Sequence, residues 1–130
     1  MQLDERSEKN LTGVHADLAK VVRRAAELTD CPFIVTEGLR TMKRQRELVA
    51  AGASKTLRSR HLTGHAIDFA PIVGGEVTWK WPPFAIVAAA FKRAAAEFGT
   101  AISWGGDWRT FKDGPHIELD RKSYPAKEAA

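Results

Sequence analysis

The sequence predicts an α+β domain. Two long stretches and one shorter one carry apolar residues at helical spacing, while four short ones, set off by glycine and proline, carry β-branched and aromatic residues or apolar alternation. At 130 residues the chain is long enough to bury a core as one domain, 1–130, and no repeat, low-complexity tract or long linker divides it. Cys31 is the only cysteine, which excludes an internal disulfide and a cysteine-rich metal site. Packing must therefore hold the fold, helped at most by a metal.

Residues 1–9 are charged, lack the apolar core of a secretion signal and are expected to form a mobile end. Val14, Leu18, Val21, Val22, Ala25 and Leu28 then make one stripe, predicting a helix over 14–28 capped by Asn10 or Thr12. His15 lies near its start, where no other ligand type stands at matching spacing, so packing or solvent contact is expected of it. Asp30-Cys31-Pro32 ends that helix and Phe33-Ile34-Val35-Thr36 reads as a strand. Gly38-Leu39-Arg40-Thr41 turns the chain, Thr41 caps a helix over about 42–51, and Gly52 stops it.

The stretch 52–59 is a polar, flexible loop. Ala66 to Ala70 alternates, with Ile67 and Phe69 on one face and Ala66, Asp68 and Ala70 on the other. A hairpin or loop around Gly74-Gly75 fills 71–81. The next helix, about 83–98, gathers Phe84, Val87, Ala88, Phe91, Ala95 and Phe98 on one side and stops at Gly99. Ala101 to Trp104 reads as a strand, Gly105 to Trp108 as a tight turn closed by Asp107, and His116 to Leu119 as the last strand. Residues 122–130 have little to bury and are expected to be mobile.

Formal net charge is +4 with a sequence pI near 9.5, which favours polyanionic surroundings such as nucleic acid, anionic lipid or bacterial wall. The cations fall in separate clusters at 23–24, 43–46, 58–60 and 121–122 with acids between them, the pattern of solvated faces. No recognised nucleic-acid motif accompanies them, so no nucleic-acid partner is expected. No apolar run is long enough to span a bilayer; synthesis in the cytoplasm, no stable membrane insertion and a monomeric state are expected.

Asp68 carries the chemistry. An aspartate on a face otherwise made of alanines is costly to bury unless paired or coordinated, and its small neighbours leave room for a metal. His61, seven residues earlier, suits a loop residue converging on a strand residue, and His116 opens the last strand. Two imidazoles and one carboxylate, with a fourth position left to water, are the usual ligands of a catalytic zinc. The competing pair, His61 with His65, has the i, i+4 spacing of a helical zinc motif. Leu62 stands where that motif needs glutamate, however, and Gly64 disfavours a helix. His65 is therefore expected beside the metal or at the substrate's edge. By spacing alone, ordinary hydrogen-bonded histidines remain the alternative.

The wording around these residues is more specific. Ser59-x-His61-x-x-Gly64-x-Ala66-x-Asp68, then Trp104-Gly105-Gly106-Asp107-Trp108, then Asp113-x-x-His116-x-Glu118 resembles the zinc peptidases of the D-alanyl-D-alanine carboxypeptidase and L-alanyl-D-glutamate peptidase group, which includes phage endolysins. Glu37-Gly38-Leu39-Arg40-Thr41, Gln45 and Ser54-Lys55 are similar to that group's upstream segment, so the likeness runs over about residues 11–119. It implies a Hedgehog/D,D-peptidase-like fold, a small antiparallel sheet backed by helices. It also implies His61, Asp68 and His116 as Zn2+ ligands and Asp113 as the catalytic carboxylate. Aspartate at 113 and the Trp-Gly-Gly-Asp-Trp turn look more like the L-alanyl-D-glutamate endopeptidase branch than the D,D-dipeptidases.

On that reading Asp113 serves as general base and then general acid. Arg40, always charged and able to grip oxygen bidentately, would hold either the scissile carbonyl's developing anion or a substrate carboxylate. Ser59 would steady the metal loop or contact substrate, and Glu118 would orient a ligand imidazole or stand as an exposed strand carboxylate. Trp104 and Trp108 are expected in the core rather than on a cleft floor. The expected function is zinc-dependent hydrolysis of the peptidoglycan stem peptide by a phage-type endolysin, released to the wall by a membrane-permeabilising partner. A host autolysin, a D,D-carboxypeptidase on the same scaffold and a non-catalytic zinc-stabilised wall-binding module are the alternatives.

Overall fold

One antiparallel sheet separates a greasy side from a charged side, and strand alternation decides which residue goes where. The computed structural model describes residues 1–125. Along the chain, helices α1 (Glu5–Asn10) and α2 (Ala16–Leu28) precede strand β1 (Phe33–Glu37) and helix α3 (Met42–Ala50). After them come β2 (Ala66–Val73), β3 (Glu76–Val77), the long α4 (Trp81–Phe98), β4 (Ile102–Trp104) and β5 (His116–Leu119). Two short 3-10 turns, Arg60–Thr63 and Gly105–Asp107, lie in the connections. The strands are ordered β1-β2-β5-β4, each pair antiparallel, with β3 folded back on the end of β2. The expected small antiparallel sheet backed by helices is therefore what forms.

Because successive strand residues point to opposite faces, Phe33, Val35, Ile67, Phe69, Ile117 and Leu119 all turn toward α2 and α4 and are fully buried. Phe69 lies at the centre, with ring centroids 5.1 Å from Phe91, 5.5 Å from Phe84 and 6.1 Å from Phe33. Each such burial stabilises by about 1.5–3 kcal/mol. The other face receives the remaining register positions: Glu37 opposite Asp68, Asp68 opposite His116, and Glu118 opposite both Ala66 and Ser103.

Residues 1–9, expected to be a mobile end, instead close the open edge of β1. Asp4 caps α1 by accepting from the Ser7 amide (2.8 Å), and Ser7 Oγ, fully buried, accepts from the Val35 amide (2.9 Å). Asn10 Nδ2 donates to the Val35 carbonyl (2.8 Å), so one helix supplies both partners that an edge strand otherwise leaves to solvent. Asn10 is thus not the cap of α2. His15 is, through Nδ1, which accepts from the Asp17 amide at 3.1 Å, and the helix starts at Ala16. At the other end Tyr124 donates to Asp17 Oδ2 (2.7 Å), which ties down part of the stretch 122–130 that was expected to be mobile; residues 126–130 lie outside the described residues.

The remaining boundaries move by a few residues. Thr41 caps α3 as expected, with Oγ1 accepting from the Arg44 amide. β2 runs on to Val73 and turns through Gly74 and Gly75, both at positive φ, the two-residue hairpin that a right-handed strand twist favours. α4 starts at Trp81 with prolines in its first turn, where a missing amide costs nothing. Asp107 does not close its turn but pairs with Lys92 on the surface (2.7 Å).

Gly38 is required by contact rather than by dihedral. A Cβ there would run into the Asn10 carbonyl oxygen and sit 2.9 Å from Val14 Cγ2, so α1 can reach β1 only if residue 38 has no side chain. Gly38→Ala is expected to destabilise by about 2 kcal/mol or more, as overpacking against backbone does. A lower urea midpoint at unchanged slope would register it.

Candidate active site

The charged face of the sheet holds the site. Asp68 projects from the middle of β2, and His116 stands opposite it at the head of β5. His61 arrives from the 3-10 turn 60–63. That turn is shaped by Ser59, whose Oγ accepts from the His61 amide (3.2 Å), and is ended by Gly64 in the left-handed region (φ 75°). A further tie, the Arg40 amide donating to the His61 carbonyl (2.9 Å), fixes the turn against the β1–α3 connection.

The three side chains converge. One donor atom from each of His61, Asp68 and His116 lies within 4.8 Å of the other two. His61 Nε2 is 3.2 Å and His116 Nδ1 3.5 Å from the same oxygen, Asp68 Oδ1. Ligands bound at about 2.0–2.1 Å to a tetrahedral ion stand roughly 3.3–3.4 Å apart, so these spacings fit zinc. The outward nitrogens make the stronger case. His61 Nδ1 is 2.9 Å from the Gly38 carbonyl, and His116 Nε2 is 2.9 Å from Glu118 Oε1. A carbonyl or a carboxylate can only accept, so each outer nitrogen keeps its hydrogen, and the inner nitrogen facing Asp68 is the one that would give up a proton to a metal.

Electrostatics follow from this packing. Burial alone would raise the Asp68 carboxyl, but contacts with His116 and His61 hold it well below the ordinary carboxylate range. Burial would likewise depress His116, yet its contacts with Asp68 and Glu118 push it up to about 9 in the metal-free protein. Glu118 itself is buried, and His116 and Arg121, the latter donating from Nε at 3.0 Å, keep its charge favourable against that burial. Glu118 is thus not an exposed strand carboxylate but the buried hydrogen-bond partner of the His116 imidazole.

Above the cluster opens a cleft of about 620 Å³, walled by residues 53–61 on one side and 108–116 on the other. Asp113 lies on the second wall, held by its own amide donating to the Gly105 carbonyl (3.0 Å) and its carbonyl accepting from the His116 amide (3.2 Å). Partial burial and the nearby Asp68 charge raise its carboxyl above the ordinary range. Trp108, expected in the core, lines the cleft instead with its ring 5.1 Å from that of His116, whereas Trp104 is buried as expected and donates to the Gly114 carbonyl.

Two expectations change. Arg40 reaches the cleft, but its fork is filled: Nε and Nη2 donate to the two Glu37 carboxylate oxygens (2.9 and 2.8 Å) and Nη1 to Gln45 Oε1 (2.8 Å). Nη2 also lies 3.5 Å from Asp68 Oδ2, so Arg40 steadies the Asp68 carboxylate rather than presenting an open fork to an anion. His65 turns away from the metal cluster. Its Nδ1 is 2.8 Å from Thr63 Oγ1 and its ring lies 5.5 Å from that of His15, outside the cleft. Glu37, the Gly38 carbonyl and buried Arg60, which donates to the Leu119 and Tyr124 carbonyls, are contributors that sequence reasoning did not single out. Glu37 stands in the family-like segment 37–41, but only strand register places it opposite Asp68.

A cleft with two imidazoles and a carboxylate at its floor, both imidazoles backed by acceptors and a raised carboxyl beside them, is the arrangement of a hydrolytic metal enzyme. The chain belongs to the phage L-alanyl-D-glutamate peptidase family, which it matches over residues 1–127. It is 38% identical over 122 residues to the L-alanyl-D-glutamate peptidase of Escherichia phage T5, covering 91% of this chain and 88% of that one. The crystal structure of the Serratia marcescens L-Ala D-Glu endopeptidase ChiX superposes with a TM-score of 0.91 at 53% identity, covering 97% and 95% of the two chains. The vancomycin-resistance D,D-dipeptidase VanXYg shares the fold alone, with a TM-score of 0.54 at 17% identity over 82% of this chain and 50% of that one.

Proposed function

We propose that this protein is a zinc-dependent peptidoglycan endopeptidase that cleaves the bond between L-alanine and D-glutamate in the stem peptide, acting as a phage-type endolysin. The observation that carries the reading is the donor set: His61, Asp68 and His116 converge with both imidazoles already turned by their outer hydrogen bonds. Family membership, and relatives named for that bond, support the substrate.

The residues divide the work. His61, Asp68 and His116 would hold the ion. A zinc ion held there would supply a Lewis acid and make a water molecule acidic enough to ionise near neutral pH. Asp113, whose carboxyl burial and the Asp68 charge raise, accepts the proton from the attacking water and returns it to the leaving amine. Arg40 keeps Asp68 aligned, and Glu118 keeps His116 aligned. Ser59 holds the turn that delivers His61.

Among the described residues no helix is long and apolar enough to cross a membrane. Passage to the wall through a lesion made by a membrane-permeabilising partner is part of the proposal. The protein is taken to work as a monomer. Mass spectrometry of purified peptidoglycan digested with the zinc-loaded protein is expected to show new D-glutamate amino ends that a chelator prevents. Release of terminal D-alanine would assign the D,D-carboxypeptidase activity instead, and an uncut wall with zinc bound would leave only a binding module.

A further inference from the structure

The two walls of the cleft touch at its mouth. Lys55, from the loop after α3, places its ammonium 4.0 Å from the centroid of the Phe111 ring on the opposite wall. Phe111 is 71% exposed, and its backbone lies in the left-handed region (φ 51°), the one non-glycine residue found there among those described. A bulky side chain in that region is a strained placement, and neither burial nor a capping role explains it here.

Lys55 is held in place, not left to drift. Gln45, fully buried, donates from Nε2 to Ser54 Oγ (2.8 Å) and to the Thr56 carbonyl (2.6 Å), pinning the chain on either side of Lys55. The same Gln45 accepts from Arg40, which reaches Asp68, so the lip bearing Lys55 is tied through two side chains to the metal cluster. Among the described residues the Lys55 ammonium is given no carboxylate partner; the face of an aromatic ring is what it meets. Such a contact is weak at an exposed site, and a carboxylate exchanges for it readily.

Resting on the endopeptidase reading, we propose that Lys55 and Phe111 form a clamp that recognises a free carboxylate of the stem peptide next to the scissile bond. The chemistry is that of glutamate. It carries two carboxyl groups, a linear peptide uses one, and the other stays as an anion within a few bonds of the nitrogen that becomes the leaving amine. Lys55 pairs with that anion, and Phe111 covers the apolar part of the peptide once the ammonium has moved off its ring.

Two synthetic stem peptides test this, identical except that the spare glutamate carboxylate is free in one and a primary amide in the other. With the zinc-loaded protein, amidation is expected to raise KM by about tenfold or more with kcat little changed, the loss of one charge-assisted hydrogen bond. Lys55→Met should raise KM for the free acid by the same factor and no longer distinguish the peptides, while Lys55→Arg restores the distinction. Lys55 is exposed, so the melting temperature of both variants should match the parent. Equal KM values for the two peptides in the parent protein, or a Lys55→Met defect shared equally by both, would overturn the clamp and leave the endopeptidase reading standing. Cleavage of neither peptide would overturn that reading and the clamp with it.

Discussion

Asp113→Asn is expected to lower kcat by about 10²–10⁴-fold, the range for losing a positioned general base, with KM and bound zinc unchanged. Asparagine keeps the shape of the side chain and both backbone hydrogen bonds to residues 105 and 116, so what disappears is the proton acceptor. The effect should be large because the environment prepares this carboxyl for proton transfer. Burial and the Asp68 charge raise it, bringing it closer to the pH at which it must both take and give a proton. Stability should not fall, since the substitution removes one of two neighbouring negative charges. Single-turnover rates on wall fragments, paired with metal analysis and a melting curve, read all three. A variant with normal zinc and a rate within tenfold of the parent would place the base elsewhere.

The sequence carried the centre of this site better than its rim, for a physical reason. Asp68 sits among Ala66, Ile67, Phe69 and Ala70, so alternation alone puts a carboxylate on one face of a strand and leaves it needing a cation. His116 and Glu118 obey the same alternation in β5. What alternation cannot supply is register. That Glu37 lies opposite Asp68 depends on a bulge between Val35 and Glu37, and without it the bidentate grip on Arg40 does not exist. Arg40 therefore reads from sequence as an open anion site and proves to be occupied. His65 misleads differently: two residues after Thr63 and one after a left-handed glycine, it is carried around to the far side of the turn. Helix α1 escaped notice because six residues with a single buried side chain leave no stripe to find.

Asp68→Asn is expected to weaken zinc binding by more than about 100-fold, the upper end of losses seen when only an outer hydrogen-bond partner is removed. It should also change how the metal-free protein responds to pH. Burial would depress His116, but Asp68 and Glu118 together hold it at about 9 against an ordinary 6.5. A group raised on folding stabilises the fold fully below its unfolded value and loses that contribution as pH rises through its folded one. The metal-free parent should accordingly lose stability between about pH 6.5 and 9 from this group. In Asp68→Asn the imidazole loses one of its two raising partners and keeps Glu118, so that slope should shrink. Zinc must displace the same proton, so binding to the parent should strengthen by about tenfold for each pH unit up to about 9 and level off above it. Chelator-competition titrations across that window, beside an NMR titration of His116 in the metal-free protein, measure both effects. A flat affinity profile would mean that His116 carries no proton for the metal to displace, and the coupling between Asp68 and His116 would then have to be abandoned.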